Sequence, residues 1–130
     1  MGIDALCPAD NAIRFALEAA QRQSVRLHAV NAWQLPRPME GRMPYEVPEA
    51  DRAIWEDEQV RLPDALRPWR ERYPQVALPE DVLRFTAAAA LVRAAPRTEL
   101  LVVGRRRPVL GPVVDAVVND IRCSLAVVPS

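Results

Sequence analysis

Lysine is absent from this chain: all 17 basic residues are arginine. Schiff-base chemistry on a lysine amine and a Walker-type phosphate lysine are therefore excluded. The plainer source of this bias is a GC-rich coding sequence. Histidine occurs once, at His28, which leaves too few ligands for a zinc site, and no metal centre is expected. The two cysteines, Cys7 and Cys123, stand near opposite ends without CxxC spacing. They read as free thiols and not as a disulfide. Seventeen acidic residues balance the arginines, and a net charge of zero argues against a general nucleic-acid or membrane-surface role. No apolar run is long enough for a membrane-spanning helix. A basic start followed by an apolar stretch is missing too, so the expectation is a cytoplasmic protein without a signal peptide.

Against these absences stand 130 residues, of which half are apolar and 26% charged. That length and composition fit one globular domain, residues 1–130, around one core. The most informative stretch is Leu100-Leu101-Val102-Val103-Gly104. Its apolar run shows no period-two alternation, which is how a parallel strand covered on both faces reads. A loop through Arg105-Arg106-Arg107-Pro108-Val109-Leu110-Gly111 follows, and a helix begins near Pro112. In sheets of this kind ligands bind outside the carboxyl ends of the strands, so small-molecule chemistry is expected between Gly104 and Gly111.

The remaining elements follow from spacing. Asp10 is placed to cap a helix over 11–23, with Ala12, Ile13, Ala16, Leu17 and Ala20 on one face. Residues 25–33 read as a strand. Residues 34–48, with four prolines, read as a surface loop. Residues 49–72 have helical propensity, with Ile54, Trp55, Val60, Leu62, Leu66 and Trp69 as the buried stripe. Pro63 and Pro68 predict a kink or a split into two helices. A strand over 76–84 is weakened by Pro79. Thr86 caps an alanine-rich helix that Pro96 stops. A last helix over 113–121 leads to a last strand over 124–128. Strands alternating with helices predict an α/β domain, a doubly wound parallel sheet of five strands.

Several phrases in this order resemble the universal stress protein family: Gly2-Ile3-Asp4 at the first strand, Ala12-Ile13-Arg14-Phe15-Ala16 in the first helix, and His28-Ala29-Val30-Asn31-Ala32-Trp33 at the second strand. Pro68-Trp69-Arg70-Glu71-Arg72-Tyr73-Pro74 resembles actinobacterial members. Leu100 to Gly104 and Cys123 to Pro129 are similar to the last two strands. The resemblance covers nearly the whole chain and implies the Rossmann-like fold of the adenine nucleotide alpha hydrolases. ATP-binding members carry Gly-x-x-Gly, a longer spacer, then Gly-Ser or Gly-Thr. Glycines there let amide N–H groups and a hydroxyl approach the phosphates. Here Gly104 matches the first glycine, but Arg107 stands at the second. The spacer shrinks to Pro108-Val109-Leu110. The final pair becomes Gly111-Pro112, and proline supplies neither N–H nor hydroxyl.

The nucleotide-contact positions that the resemblance implies are Asp4, Val30, Gly104, Arg105, Arg107 and Gly111. Asp4 has a plainer role as a strand-end carboxylate. The arginines at 105–107 are either phosphate ligands replacing the lost cradle or a solvated loop paired with carboxylates. Cys7 lies near the same cleft as a small residue or a reactive thiol. No catalytic residues are expected, because no acid–base pair or Ser-His-Asp order can be read. Weak nucleotide hydrolysis is the enzymatic alternative.

The first strand is short. Only Met1-Gly2-Ile3 precede Asp4, whereas a strand typically takes about five residues. A start upstream of Met1 is the expectation; a strand donated by a partner and a sheet with altered pairing are the alternatives. The functional expectation is a small regulatory or interaction domain with a degenerate nucleotide site, requiring no cofactor. The alternative is a nucleotide-binding stress module that takes ATP through arginines 105–107. Family resemblance further implies a homodimer through the last strand, residues Ser124, Leu125, Ala126, Val127 and Val128.

Overall fold

The computed structural model describes residues 1–33, 49–106 and 111–129, with Ala50 described in its main chain only. The proline-rich segment 34–48 and Arg107 lie outside the described residues.

Helix α1 spans Asp10–Gln23. Ala9 stands at its N-cap position and Asp10 is the first helical residue, so Asp10 does not cap the helix as expected. Its carboxylate instead sits in the first turn, where the helix dipole favours negative charge. The anticipated face is buried: Ala12, Ile13, Ala16, Leu17 and Ala20. Ser24 ends the helix in the left-handed region at φ 54°, and its N–H returns to the carbonyls of the last turn.

Strand β1 is Ala29–Ala32, shorter than the nine residues its sequence suggested. Helix α2, Arg52–Arg72, runs unbroken through Pro63 and Pro68, so the expected split does not occur. A proline in a helix interior costs one hydrogen bond. Here Leu62, Leu66 and Trp69 anchor the same stretch in the core. The predicted stripe is too wide: Ile54 and Val60 are 45% and 57% exposed. Strand β2 is Glu80–Leu83, starting immediately after Pro79. In helix α3, Ala87–Ala94, Thr86 caps as expected, its hydroxyl accepting from the Ala89 N–H at 3.2 Å. Strand β3 is Leu100–Arg105. Helix α4 is Pro112–Asp120, and strand β4 is Ser124–Pro129.

These strands form two parallel pairs, β1 with β2 and β3 with β4. The expected five-stranded sheet is not what the described residues form. Its first strand is reduced to an isolated parallel bridge between Gly2 and Val30. That short segment nevertheless joins the pairs. Ile3 N–H donates to Val30 C=O, Val30 N–H donates to Met1 C=O, and Gly2 N–H donates to Val102 C=O, each at 2.9 Å. Three residues supply too few hydrogen bonds to make a full ladder, but enough to align β1 and β3.

Successive strand residues point to opposite faces. Ala29, Val82 and Val102 join the core under α1 and α2, with Ile13, Leu17, Leu62 and Leu66. Leu101 and Val103 pack on the other face against Leu91 of α3 and Val114 and Val117 of α4. Val30, Leu83 and Ala90 form a smaller cluster on that side. Both faces of the strands are therefore covered by helices, which accounts for the continuous apolar run of β3.

Candidate functional site

The carboxyl ends of the strands open on a cleft of about 430 Å³. Asp4 and Cys7 lie on one side, with Val30 and Ala32 of β1, and Gly104 and Arg106 at the end of β3. Three of the sequence-predicted positions, Asp4, Val30 and Gly104, thus share one cavity. Arg105 closes β3 in register with Pro129 and is not part of the cleft wall. Gly111 sits at the N-cap of α4 in extended backbone, also outside the wall.

The most definite polar geometry belongs to Arg106. Its guanidinium donates to Asp4 Oδ2 at 3.0 Å and to the Cys7 carbonyl. Asp4 Oδ1 accepts the Leu6 N–H at 3.0 Å, so one carboxylate both fixes the local turn and holds the arginine. Both side chains are about half exposed, 54% for Asp4 and 50% for Arg106. A pair this wet is worth about 0–1 kcal/mol. Its effect is geometric, because it spans the mouth of the cleft from the first turn to the end of β3.

Gly104 has a steric reason to be glycine. A Cβ there would lie 2.7 Å from the Cβ of Ala9 at the start of α1, and two backbone-anchored carbons cannot separate without a main-chain shift. No such crowding surrounds Gly111, where an added Cβ meets nothing within 4 Å. Pro112 occupies the first helical position, where a proline fits but removes one of the amide donors a helix N-terminus offers an anion.

Asn31 went unnoticed in the sequence. It is buried, and its Oδ1 accepts the Ala5 N–H at 3.4 Å across 26 residues. A polar residue inside an apolar strand was the available signal, since such a group stays buried only with a partner. Cys7 is a free, exposed thiol, and Cys123 is free and half-buried. Among the described residues no cluster of His, Cys, Asp and Glu could hold a metal ion. No described helix is long and apolar enough to cross a membrane.

A parallel α/β domain with helices on both faces and a cleft at the carboxyl ends of its strands belongs to the doubly wound class that binds ligands at that edge. Comparison with solved structures narrows the class. The fold matches a UspA universal stress protein from Lactobacillus plantarum with a TM-score of 0.72 and 21% identity, over 98% of this chain and 93% of that one. A universal stress protein solved in complex with cAMP matches with a TM-score of 0.61 and 19% identity, over 99% and 93% of the two chains. The family model for the universal stress protein family matches residues 1–129. The chain therefore belongs to the universal stress protein family. A universal stress protein of Mycobacterium bovis is 30% identical over 98% of this chain. One of Mycobacterium tuberculosis is 32% identical over 82% of it. The chain covers only 43% and 34% of the length of these two relatives.

Proposed function

We propose that this universal stress protein is a small regulatory or interaction domain whose nucleotide site has degenerated, so that ATP is not bound in the family's usual way. The observation that carries this reading is the Arg106 bridge to Asp4 and to the Cys7 carbonyl across the cleft mouth. The carboxylate that would meet the nucleoside is engaged by an arginine of its own chain. Gly104 serves the contact with Ala9, and the proline after Gly111 offers no N–H to a phosphate. On this reading the protein is not an enzyme and needs no cofactor. It acts in the cytoplasm as a homodimer joined through β4, whose residues 125–128 are half-buried while β3 covers its other edge.

A second reading is favoured by one specific observation. A cleft of about 430 Å³ persists around Asp4, Gly104 and Arg106, and a structural neighbour was solved with cAMP. In that reading Arg106 releases Asp4 and takes a phosphate bidentately. Calorimetric titration of the folded chain with Mg²⁺-ATP, and separately with cAMP, decides between them. The degenerate site predicts no saturable heat up to about 1 mM ligand. Saturable binding abolished by Arg106→Ala would establish the arginine-based site instead.

A further inference from the structure

At the carboxyl ends of β1 and β3 the chain leaves the space between the two strands. The Met1–Ile3 segment pairs with both, so they stand two strand spacings apart, about 10 Å. Past Ile3 the chain turns aside, and the Cys7 N–H returns to the Asp4 C=O at 3.2 Å. The gap this turn leaves is the cleft of about 430 Å³ described above. It is one strand wide, so a flat body fits it and a bulky one does not.

The walls of the cleft are carbon. Ile13 of α1, Val30 of β1, Ala90 and Leu91 of α3 and Val103 of β3 line it, each at most 5% exposed. The charged groups of its described wall stand at the mouth, where Asp4 and Arg106 neutralise each other. A net charge carried inward would leave water for walls with nothing to pair it.

Strand alternation adds one polar group inside. Leu27, Ala29 and Trp33 donate toward β2, to the Ala77, Pro79 and Leu83 carbonyls. Val30 donates the other way, to the Met1 C=O. Ala32, two residues on, faces the same side as Val30, but there the first segment has already turned away. Ala32 lines the cleft, and among the described residues no hydrogen bond engages its N–H.

We propose that this cleft binds a small uncharged molecule with a flat aromatic body and one acceptor oxygen, an aryl ketone in its simplest form. The proposal rests on the reading that the nucleotide site has degenerated, and it names what the remaining space takes. The ring lies among Ile13, Leu91 and Val103, and the oxygen accepts the Ala32 N–H. Carbon-walled cavities smaller than this one take benzene. Small-ligand sites of this size are commonly apolar, with a few placed polar groups that fix orientation.

Amide NMR titration of the isotope-labelled chain tests this with three probes of similar size. They are acetophenone, ethylbenzene, which lacks the oxygen, and phenylacetate, which is charged. Acetophenone is expected to shift the Ala32 amide saturably at concentrations up to about 10 mM. It should bind about fivefold more tightly than ethylbenzene, the worth of one hydrogen bond, and at least about tenfold more tightly than phenylacetate. Ala87→Trp, at an exposed wall position that opens α3, is expected to remove the binding. A folded chain that gives no saturable shift with acetophenone overturns the proposal. Ethylbenzene or phenylacetate binding as tightly as acetophenone overturns it too, and binding that survives Ala87→Trp places the ligand elsewhere. Mg²⁺-ATP added to the same chain separates this proposal from the reading beneath it. Flat responses to both ATP and acetophenone sink the aryl-ketone site and leave the degenerate-site reading standing. Saturable ATP binding overturns that reading, whatever acetophenone does.

Discussion

The two ends of the sheet differ in what they expose. At the carboxyl end the cleft is small, and its charged side chains are already matched: Asp4 with Arg106, and Arg106 with the Cys7 carbonyl. At the amino end the cavity is roughly twice as large, and its most distinctive groups are main-chain donors and acceptors. At the carboxyl end an ion pair of the chain's own residues spans the cleft mouth, while at the amino end the Met1 amine donates to the His28 carbonyl at 2.7 Å. Two ends of one sheet can thus present different chemistry, and fold alone does not assign function to either.

The largest expected effect that separates the two ends is a pH dependence at the amino end. Burial lowers the Met1 amine from its ordinary 8.0 to about 6, against a weaker opposing pull from Cys123. Above pH 8 the amine is neutral folded and unfolded, and burial costs nothing. Between pH 8 and 6 the unfolded chain takes up the proton first, so stability falls as pH falls. The full loss, reached below about pH 6, is about 3 kcal/mol. Urea melts of the chain with a free Met1 amine should show this slope, and acetylation of the amine should abolish it. An unchanged slope after acetylation would mean that other groups, and not the buried amine, produce it.

The two glycines of the ligand edge come next. Gly104→Ala forces the Ala9 contact apart and is expected to cost about 1–3 kcal/mol. Gly111→Ala, with open space around it, should change stability by less than about 0.5 kcal/mol. Denaturant midpoints of the two variants check this. The reverse order would show that Gly104 is free for a ligand.

Removing the α3 cap perturbs both ends together, because Ala90 of α3 lines both cavities. Thr86→Ala should cost about 1 kcal/mol in a urea melt. Exchange of amides around both cavities should quicken in parallel; quickening at only one end would show that the ends are not supported by a common helix. Smallest of all, Arg106→Ala should alter stability by less than about 1 kcal/mol, and by releasing Asp4 it should give ATP titrations more heat than the flat response of the parent chain. Titrations that stay flat in the variant would show that the arginine is not what closes the cleft.

Much of this was legible in the chain. The apolar run of β3, the helical spacing of Ala12 to Ala20 and the Thr86 cap each follow from local rules, and each appears as read. Local rules failed where tertiary packing overrides them. Leu62, Leu66 and Trp69 hold α2 together through two prolines that alone would break it. Strands β1 and β2 are shorter than the sequence suggested, although pairing reaches past their ends: Leu27 N–H donates to the Ala77 carbonyl at 2.8 Å and Trp33 N–H to the Leu83 carbonyl at 2.9 Å. At the candidate site, the clustering of Asp4, Val30 and Gly104 follows from fold and register, but the Asp4–Arg106 pair spans 102 residues and no spacing rule could announce it. The alternation that turns His28, Val30 and Val102 toward the Met1–Ile3 segment was equally invisible, because it depends on which residue of each strand donates to which side.

The central claim is that the carboxyl-end cleft is closed to ATP by the chain's own groups. Amide exchange mapped over both ends of the sheet, with and without Mg²⁺-ATP at about 1 mM, tests it most directly. The account predicts no added protection at Gly104, Gly111 or the first turn of α4. Protection concentrated at Gly111 to Val114, with the amino end unchanged, would place a bound phosphate at that helix start and contradict the account.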